Sequence, residues 1–467
     1  MRCTVCADDR VLELGAQWVH GEEGNPLYGY ALSKDLLADP RRQQSLEGRG
    51  IFCTDQGTRL PQDLVDGVVA VLNQIKEELG GRRPRLAGNQ ELFALSELPI
   101  SVGEYLRARF HEHLEAESNT ADVVRMKWAI YDWYWRFEVI DNSCYTLDEL
   151  SFKSYEEFEE CPGVWNINLR HGFTSVINSL LEQIPDANIR YSKAVKRIYW
   201  DNVYSSRETK QPRSSISNSQ ETVWENTPFV ECEDGEIISC RHLLLTMSAG
   251  YLKRHLDGMF YPKLPEKKRE ALRGIGFGTI NKIFLIFEEP FWEPGTEGFQ
   301  LIWLDGESED TNKPDWWVRG ISGFDLVYAN PNVLVGWIGG KAAEHMESLT
   351  DDEVLDACVR VLSKFLAREI PKPVFMVRSF WYTNPYILGS YSNRQLPYDA
   401  SDVLLEAFYE PLTADIPVHG AAKVEVVHYS LPLGATDKDF YSTVHGAMRS
   451  GFREADRLIN FWRCVLP

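Results

Sequence analysis

The 467 residues contain no apolar run near the ~18–20 residues that a membrane span needs. The N-terminus has neither a basic start nor an apolar core, so it does not read as a signal peptide. The final Arg463-Cys464-Val465-Leu466-Pro467 is not a peroxisomal address of the S-K-L type. A cytoplasmic protein is the reading, with the peroxisome and the nucleus left open. Nine cysteines are scattered without regular spacing, which excludes a disulfide framework and suits a reducing compartment. Cys3-x-x-Cys6 has no second pair beside it, so no metal site is expected. Positive charge is also scarce: 49 Lys and Arg face 69 Asp and Glu, a net charge of −20. Nucleic acid, which needs clustered Lys and Arg, is a poor partner for such a chain. A cationic small molecule is a good one, because a negative field steers it inward.

What is present is ordinary for a globular chain, with 44% hydrophobic residues, 14 Trp and 20 Tyr. The length points to two domains. One stretch, residues 11–21 (VLELGAQWVHG), organises the rest. Val11, Leu12 and Leu14 begin it as a strand, and the chain then breaks into a tight loop. Gly15 and Ala16 let the backbone approach something flat or bulky. Gln17, Trp18 and His20 follow with an amide, an aromatic face and a titratable ring. The plain alternative is a strand end with a core Trp and His.

Further along, Asn25-Pro26 starts a helix with Leu32, Leu36 and Leu37 as apolar positions. Residues 51–60 read as a hairpin around Gln56-Gly57. Residues 61–141 are mostly helical, beginning with a stripe of Leu64, Val68, Val69, Leu72, Ile75 and Leu79. The dense aromatics at 121–137 fill a core more readily than they line a pocket. Glu149, Glu156, Glu157, Glu159 and Glu160 form a mostly solvated acidic cluster in which one carboxylate can turn into a cleft. A helix from Thr174 carries Val176, Ile177, Leu180, Leu181 and Ile184 on one face. Residues 194–198 are a strand, 230–238 a hairpin across Asp234-Gly235, and 243–246 a short buried strand of a parallel sheet. Residues 203–227, rich in Ser, Asn and Thr, read as a mobile surface insertion. Residues 274–287 (GIGFGTINKIFLIF) deliver a strand in which Lys282 sits among apolar residues, costly unless paired, neutral or used. An amphipathic helix covers 352–367, a strand and loop cover 378–392, and a last helix covers 440–458 with small residues near its start. Such an end offers free N–H groups to an anion.

Four stretches in register, GAQWVHG, GFGTINKIFLIFEEPFWEP, the segment from Trp381 to Tyr391, and FYSTVHGAMRSG, resemble the flavin-dependent polyamine oxidases. These form the spermine oxidase and N1-acetylpolyamine oxidase branch of the flavin monoamine oxidase superfamily. The resemblance runs over nearly the whole chain. It implies an α/β fold of mixed architecture, a Rossmann-like FAD-binding domain (1–30, 161–262 and 387–467) interleaved with a substrate domain of mixed sheet and helices (31–160 and 263–386). It also implies FAD as cofactor and a monomer acting in polyamine catabolism. The implied chemistry is transfer of a hydride from a carbon beside an amine nitrogen to flavin N5, hydrolysis of the imine, and reoxidation by O₂ to H₂O₂. Lys282 resembles the family lysine that holds a water against N5, and His20 the histidine near the substrate amine. Gly15, Ala16, Gln17 and Trp18 resemble the loop facing the cofactor, and Trp381 and Tyr391 the aromatics around the flavin ring. Thr443, Val444, Gly446 and Ala447 resemble the last helix where it meets the cofactor, and Val195 the position whose backbone meets the adenine. Glu157, Tyr391, Thr443 and His20 fall at family substrate contacts.

The family pattern also begins with a βαβ unit carrying G-x-G-x-x-G, which this sequence lacks. Met1 falls where that unit's closing Gly-Gly-Arg turn would end, so about 50 residues of the family fold are expected to be missing. The family Gly-Glu-Ala-Thr is here Gly434-Ala435-Thr436-Asp437, without the glutamate. Both departures bear on FAD binding. They motivate a second reading, a catalytically impaired relative that binds polyamine or a protein partner. A third, a histone-demethylase-like relative, fits the motifs less well.

Overall fold

The computed structural model describes residues 4–7, 10–39, 47–79, 101–155, 158–200, 228–304, 314–396, 407, 409–412 and 437–465. The chain divides into two units, Met1–Ser179 with Gly276–Asp399, and Leu180–Ile275 with Ala400–Pro467. The class is α/β, as expected.

The first unit is built on a six-stranded sheet whose second strand, Ile280–Ile286, is buried at every position. Its neighbours, Asn330–Gly339 and Phe375–Arg378, run antiparallel to it. Beyond the first lie Ile321–Val327, Gly298–Ile302 and, in parallel, Ile51–Thr54. The strand period of two sends alternate side chains to opposite faces. Ile283 and Leu285 join the core under the helices Gly340–Glu347 and Asp351–Phe365. Ile280, Phe284 and Ile286 join Leu12, Ile140, Val335 and Trp337 on the other side. Lys282 takes this second face because it is even-numbered, and that face carries the site.

Three helices cover a further core: Gln62–Leu79, Val102–Ala116 and Ala121–Asp141. Ser101 and Glu104 close a capping box at the second of these, and Thr350 and Glu353 close another on the helix Asp351–Phe365. Tyr131, Trp133 and Tyr134 are buried in this core, and the Trp133 indole N–H donates to the Ser322 carbonyl at 3.0 Å. The aromatics of 121–137 are therefore packing residues.

The second unit contains a four-stranded sheet ordered Ile237–Ser239, Phe229–Cys232, Val195–Tyr199, Phe260–Tyr261. Helices Ala249–His255 and Glu266–Gly274 pack on it. The hairpin across Asp234-Gly235 forms as expected, with Gly235 at φ +86°.

Several expectations need correction. Residues 243–246 form no strand, since they pair with no neighbour in the described residues. In the helix Pro26–Ser33, capped by Asn25, the buried positions are Leu27 and Ala31, while Leu32 is 58% exposed. Only Val176 is buried on the expected face of 176–184, and Ile177, Leu180 and Ile184 stay exposed. The hairpin around Gly57 forms as expected, with Thr54 N–H donating to the Thr58 carbonyl, Leu60 N–H to the Phe52 carbonyl and Cys53 bridging Arg59 antiparallel, and Ile51–Thr54 pairs in addition, in parallel, with Gly298–Ile302. The last helix begins at Val444 and not at 440. Residues 11–30 and 161–179 belong to the first of the two compact units. The contacts that hold them there are described next. The insertion at 203–227, Glu157 and Gly434–Thr436 lie outside the described residues.

Candidate active site

The strand Arg10–Glu13 runs out into residues 14–17, and the chain re-enters a ribbon at Trp18–Val19, paired antiparallel with Ile167–Asn168. Two side chains hold this turn. The Lys282 ammonium, on a residue 3% exposed, donates to the carbonyls of Glu13 and Gly15, both at 2.8 Å, and to Gln17 Oε1 at 2.9 Å. The Trp381 indole N–H donates to the intervening Leu14 carbonyl at 3.0 Å. A buried ammonium needs such acceptors, having lost its water. The face of Trp337, its cross-strand partner, adds a cation–π contact with Nζ 4.4 Å from the ring centroid.

Aromatic rings continue from there. Trp18 stacks on Trp337 at 6.0 Å, meets His20 edge-on at 6.5 Å, and His20 lies 4.7 Å from Trp165. Burial holds the His20 pKa below the usual range, against the pull of Asp141, the Trp165 backbone and the Asn166 side chain. His20 Nδ1 is buried with no hydrogen-bond partner. The turn closes at Gly21, at φ +74°, where a Cβ would fall 2.1 Å from the Cys161 carbonyl oxygen. Only glycine fits there.

The Tyr391 hydroxyl donates to the Ile140 carbonyl at 2.6 Å, at the C-terminal end of the helix Ala121–Asp141. Burial, with the charges of Asp141 and Glu47, raises its pKa well above 10. Glu47 itself is pushed well above the carboxylate range by burial and by Asp325 and Asp141, with Lys282 pulling the other way. These acids and the lysine lie within electrostatic reach of one another.

Behind Trp381 lies a polar clamp. Asn281, on the opposite sheet face to Lys282, donates to Glu347 Oε1 at 2.7 Å and accepts from the Ser379 hydroxyl at 2.8 Å. Glu347 also accepts from the backbone N–H groups of Tyr382 and Thr383 and from the Thr383 hydroxyl, at 2.8, 2.7 and 2.6 Å. Thus the residue after Trp381 is pinned to a buried carboxylate.

Residues 3–459 match the family of flavin containing amine oxidoreductases. The chain belongs to this family. The human peroxisomal N(1)-acetyl-spermine/spermidine oxidase is 33% identical over 97% of this chain and 86% of its own length. Its Bos taurus counterpart is 31% identical over the same shares. "Probable polyamine oxidase 5" of Arabidopsis thaliana is 25% identical over 97% of this chain and 89% of its own. Among solved structures, a putrescine oxidase double mutant superposes with a TM-score of 0.62 at 15% identity, covering 98% of this chain and 90% of that one. That likeness is one of fold.

In this amine oxidase the first unit gathers most of the expected site. Gly15, Gln17, Trp18, His20, Lys282 and Trp381 lie on or beside the turn, Ala16 is exposed on it, and Tyr391 packs against the same core cluster as Leu14 and Trp18. Membership makes FAD the cofactor. The residues fit its ring end: a small-residue turn with an exposed Ala16, half-buried aromatic faces at Trp18, Trp381 and Tyr391, and a fixed ammonium at Lys282. The sequence has no G-x-G-x-x-G for its phosphates. The second unit holds the remaining expected residues. Val195 opens its central strand, half-buried. The Thr443 hydroxyl donates to the Phe440 carbonyl at 2.8 Å and accepts from Gly446 N–H at 3.0 Å, which fixes the start of the helix containing Val444, Gly446 and Ala447. A Cβ on Gly446 would lie 2.1 Å from the Phe440 carbonyl oxygen.

The sequence reading did not single out Glu47, Asp141, Asn281 or Glu347. Asn281 carried a usable signal, a second polar residue beside Lys282 in an apolar strand. The others depend on partners far along the chain. Among the described residues no group of His, Cys, Asp and Glu could hold a metal, and no helix is long and apolar enough to cross a membrane.

Proposed function

We propose that this chain is an FAD-dependent oxidase of polyamines, with spermine, spermidine or their N1-acetylated forms as substrate class and O₂ as electron acceptor, acting as a monomer. The observation that carries the reading is Lys282, buried and locked on the carbonyls of Glu13 and Gly15 in a ring of aromatic faces. When bound, the flavin supplies two-electron oxidation of the carbon beside an amine nitrogen and passes the electrons to O₂.

The chain's own residues prepare the amine. An amine must be unprotonated to be oxidised this way. His20 is held neutral by burial, and its unpartnered Nδ1 can accept a hydrogen bond from the substrate N–H. Trp18, Trp165 and Trp337 form apolar walls for the methylene chain and exclude water. Asp141, with the net charge of −20, favours a cationic substrate. In the first unit Lys282, Gln17, Trp18, Trp381 and Tyr391 are the residues that would meet the flavin ring; in the second, the resemblance assigns Thr443, Gly446 and Ala447 to the cofactor and Val195 to its adenine. Cytoplasm is the proposed compartment, and cell fractionation against the peroxisomal location in the human relative's name decides it.

The test uses the full chain, purified and supplied with FAD. A flavin absorbance band that bleaches on anaerobic addition of spermine or N1-acetylspermine, with H₂O₂ released in air, is the expected result. Failure to take up flavin, or uptake without bleaching by any polyamine, overturns the reading.

A further inference from the structure

Lys76, in the last turn of the helix Gln62–Leu79, sets its ammonium beside two carboxylates. Its Nζ lies 2.7 Å from Glu138 Oε1 and 3.7 Å from Asp141 Oδ2, both on the last turn of the helix Ala121–Asp141. The two acids differ. The Glu138 side chain is 6% exposed and takes part in the packing, whereas that of Asp141 is 61% exposed. Asp141 also acts on the site, since its charge is felt by His20, Tyr391 and Glu47. Its backbone carbonyl receives the Tyr391 hydroxyl at 3.3 Å. The helix C-terminus adds partial negative charge at the same place. This end of the site would hold a cation, and a resident cation is already beside it.

We propose that Lys76 is a specificity-determining residue that selects substrates with an uncharged outer nitrogen. The proposal rests on the polyamine-oxidation reading above. A substrate whose outer nitrogen is a free ammonium brings a second positive charge to Asp141, a carboxylate already shared with Lys76, and two like charges so close repel. A substrate acylated on that nitrogen brings no charge and meets no penalty. The lysine thereby disfavours the free polyamine without touching the reacting carbon, which is discrimination by repulsion.

The experiment measures kcat and KM for spermine and N1-acetylspermine on the FAD-loaded full chain. Lys76→Gln removes the charge and keeps an amide donor for Glu138, and Lys76→Arg keeps the charge. The wild type is expected to favour N1-acetylspermine. Lys76→Gln is expected to move the kcat/KM ratio toward spermine by about tenfold, a change near 1.4 kcal/mol. The shift should come through a lower KM for spermine with kcat little changed. Lys76→Arg should keep the wild-type ratio. If Lys76→Gln fails to fold with Glu138 left unpaired, the double variant Lys76→Gln, Glu138→Gln takes its place with the same expected shift. An unchanged ratio in the charge-free variant, or an equal shift in Lys76→Arg, overturns the proposal. Peroxide from neither substrate in the wild type overturns the polyamine reading and the proposal with it.

Discussion

Lys282 and Trp381 bind successive carbonyls of one turn. The lysine takes Glu13 and Gly15, and the indole takes Leu14 between them. Glu13 adds a further anchor, its side chain accepting from Phe173 N–H at 2.5 Å. All three ammonium donors have protein acceptors once Gln17 is counted. The lysine thus shapes the loop that carries Gln17, Trp18 and His20, and the water-holding role that the resemblance implies requires one of these three bonds to open.

Lys282→Met should therefore do two things. It leaves the Glu13 and Gly15 carbonyls without their charged donor, and each buried unsatisfied group costs about 1–3 kcal/mol. Amide hydrogen exchange at residues 14–18 should speed up while the sheet stays protected. Amine-driven flavin bleaching should fall on the order of a hundredfold, a typical contribution of a positioned proton-handling group. Unchanged exchange in the turn would remove the scaffold role, and unchanged bleaching the catalytic one.

Glu347 supports Trp381 from behind, by accepting from Asn281 and from the two residues after the tryptophan. Glu347→Ala should destabilise the protein by about 2–4 kcal/mol, since a buried charged acceptor is lost and several donors are orphaned. Glu347→Gln replaces one acceptor oxygen by a donor facing the N–H groups, so it should lie between. The diagnostic is Trp381: a red-shifted, more quenchable tryptophan signal is expected in Glu347→Ala and not in a Glu344→Ala control. Equal spectra in the two variants would show that the clamp does not hold the indole.

The parts of this site legible in the sequence were those written locally. The apolar strand at 280–286 with one lysine, the Gly-Ala turn before Trp18, and the Asn25 cap are set by short apolar runs or by contacts two or three residues apart. Glu347 was illegible because its meaning depends on Asn281, 66 positions away, and on a loop after a third strand. Asp141 and Lys76 are acquired in the same way, by two helices packing side by side. Leu32 and Ile177 show the reverse failure. Both fit an apolar helical stripe, yet which arc of that stripe is covered is decided by the neighbouring elements and not by the helix.

Asp325 links the sheet to the segment bearing Glu47, and this linkage should depend on pH. Its Oδ1 accepts from Gly48 N–H at 3.2 Å and from the Gln300 amide at 2.7 Å, and that same amide donates to the Arg49 carbonyl at 2.9 Å. Burial pushes the Asp325 pKa up to about 7, with these two donors pulling it down. In the unfolded chain the value is about 3.9. Between the two the folded state binds more proton than the unfolded, so stability falls as pH rises from about 4 to about 7 and then levels. At full ionisation the penalty is on the order of 4 kcal/mol. Asp325→Asn keeps an acceptor oxygen for both donors and removes the charge. Its urea midpoint should match that of the wild type near pH 4 and exceed it at pH 8, with Glu47, also raised, leaving a smaller slope of the same sign. Parallel midpoint-against-pH curves for the two proteins would show that Asp325 is ionised throughout.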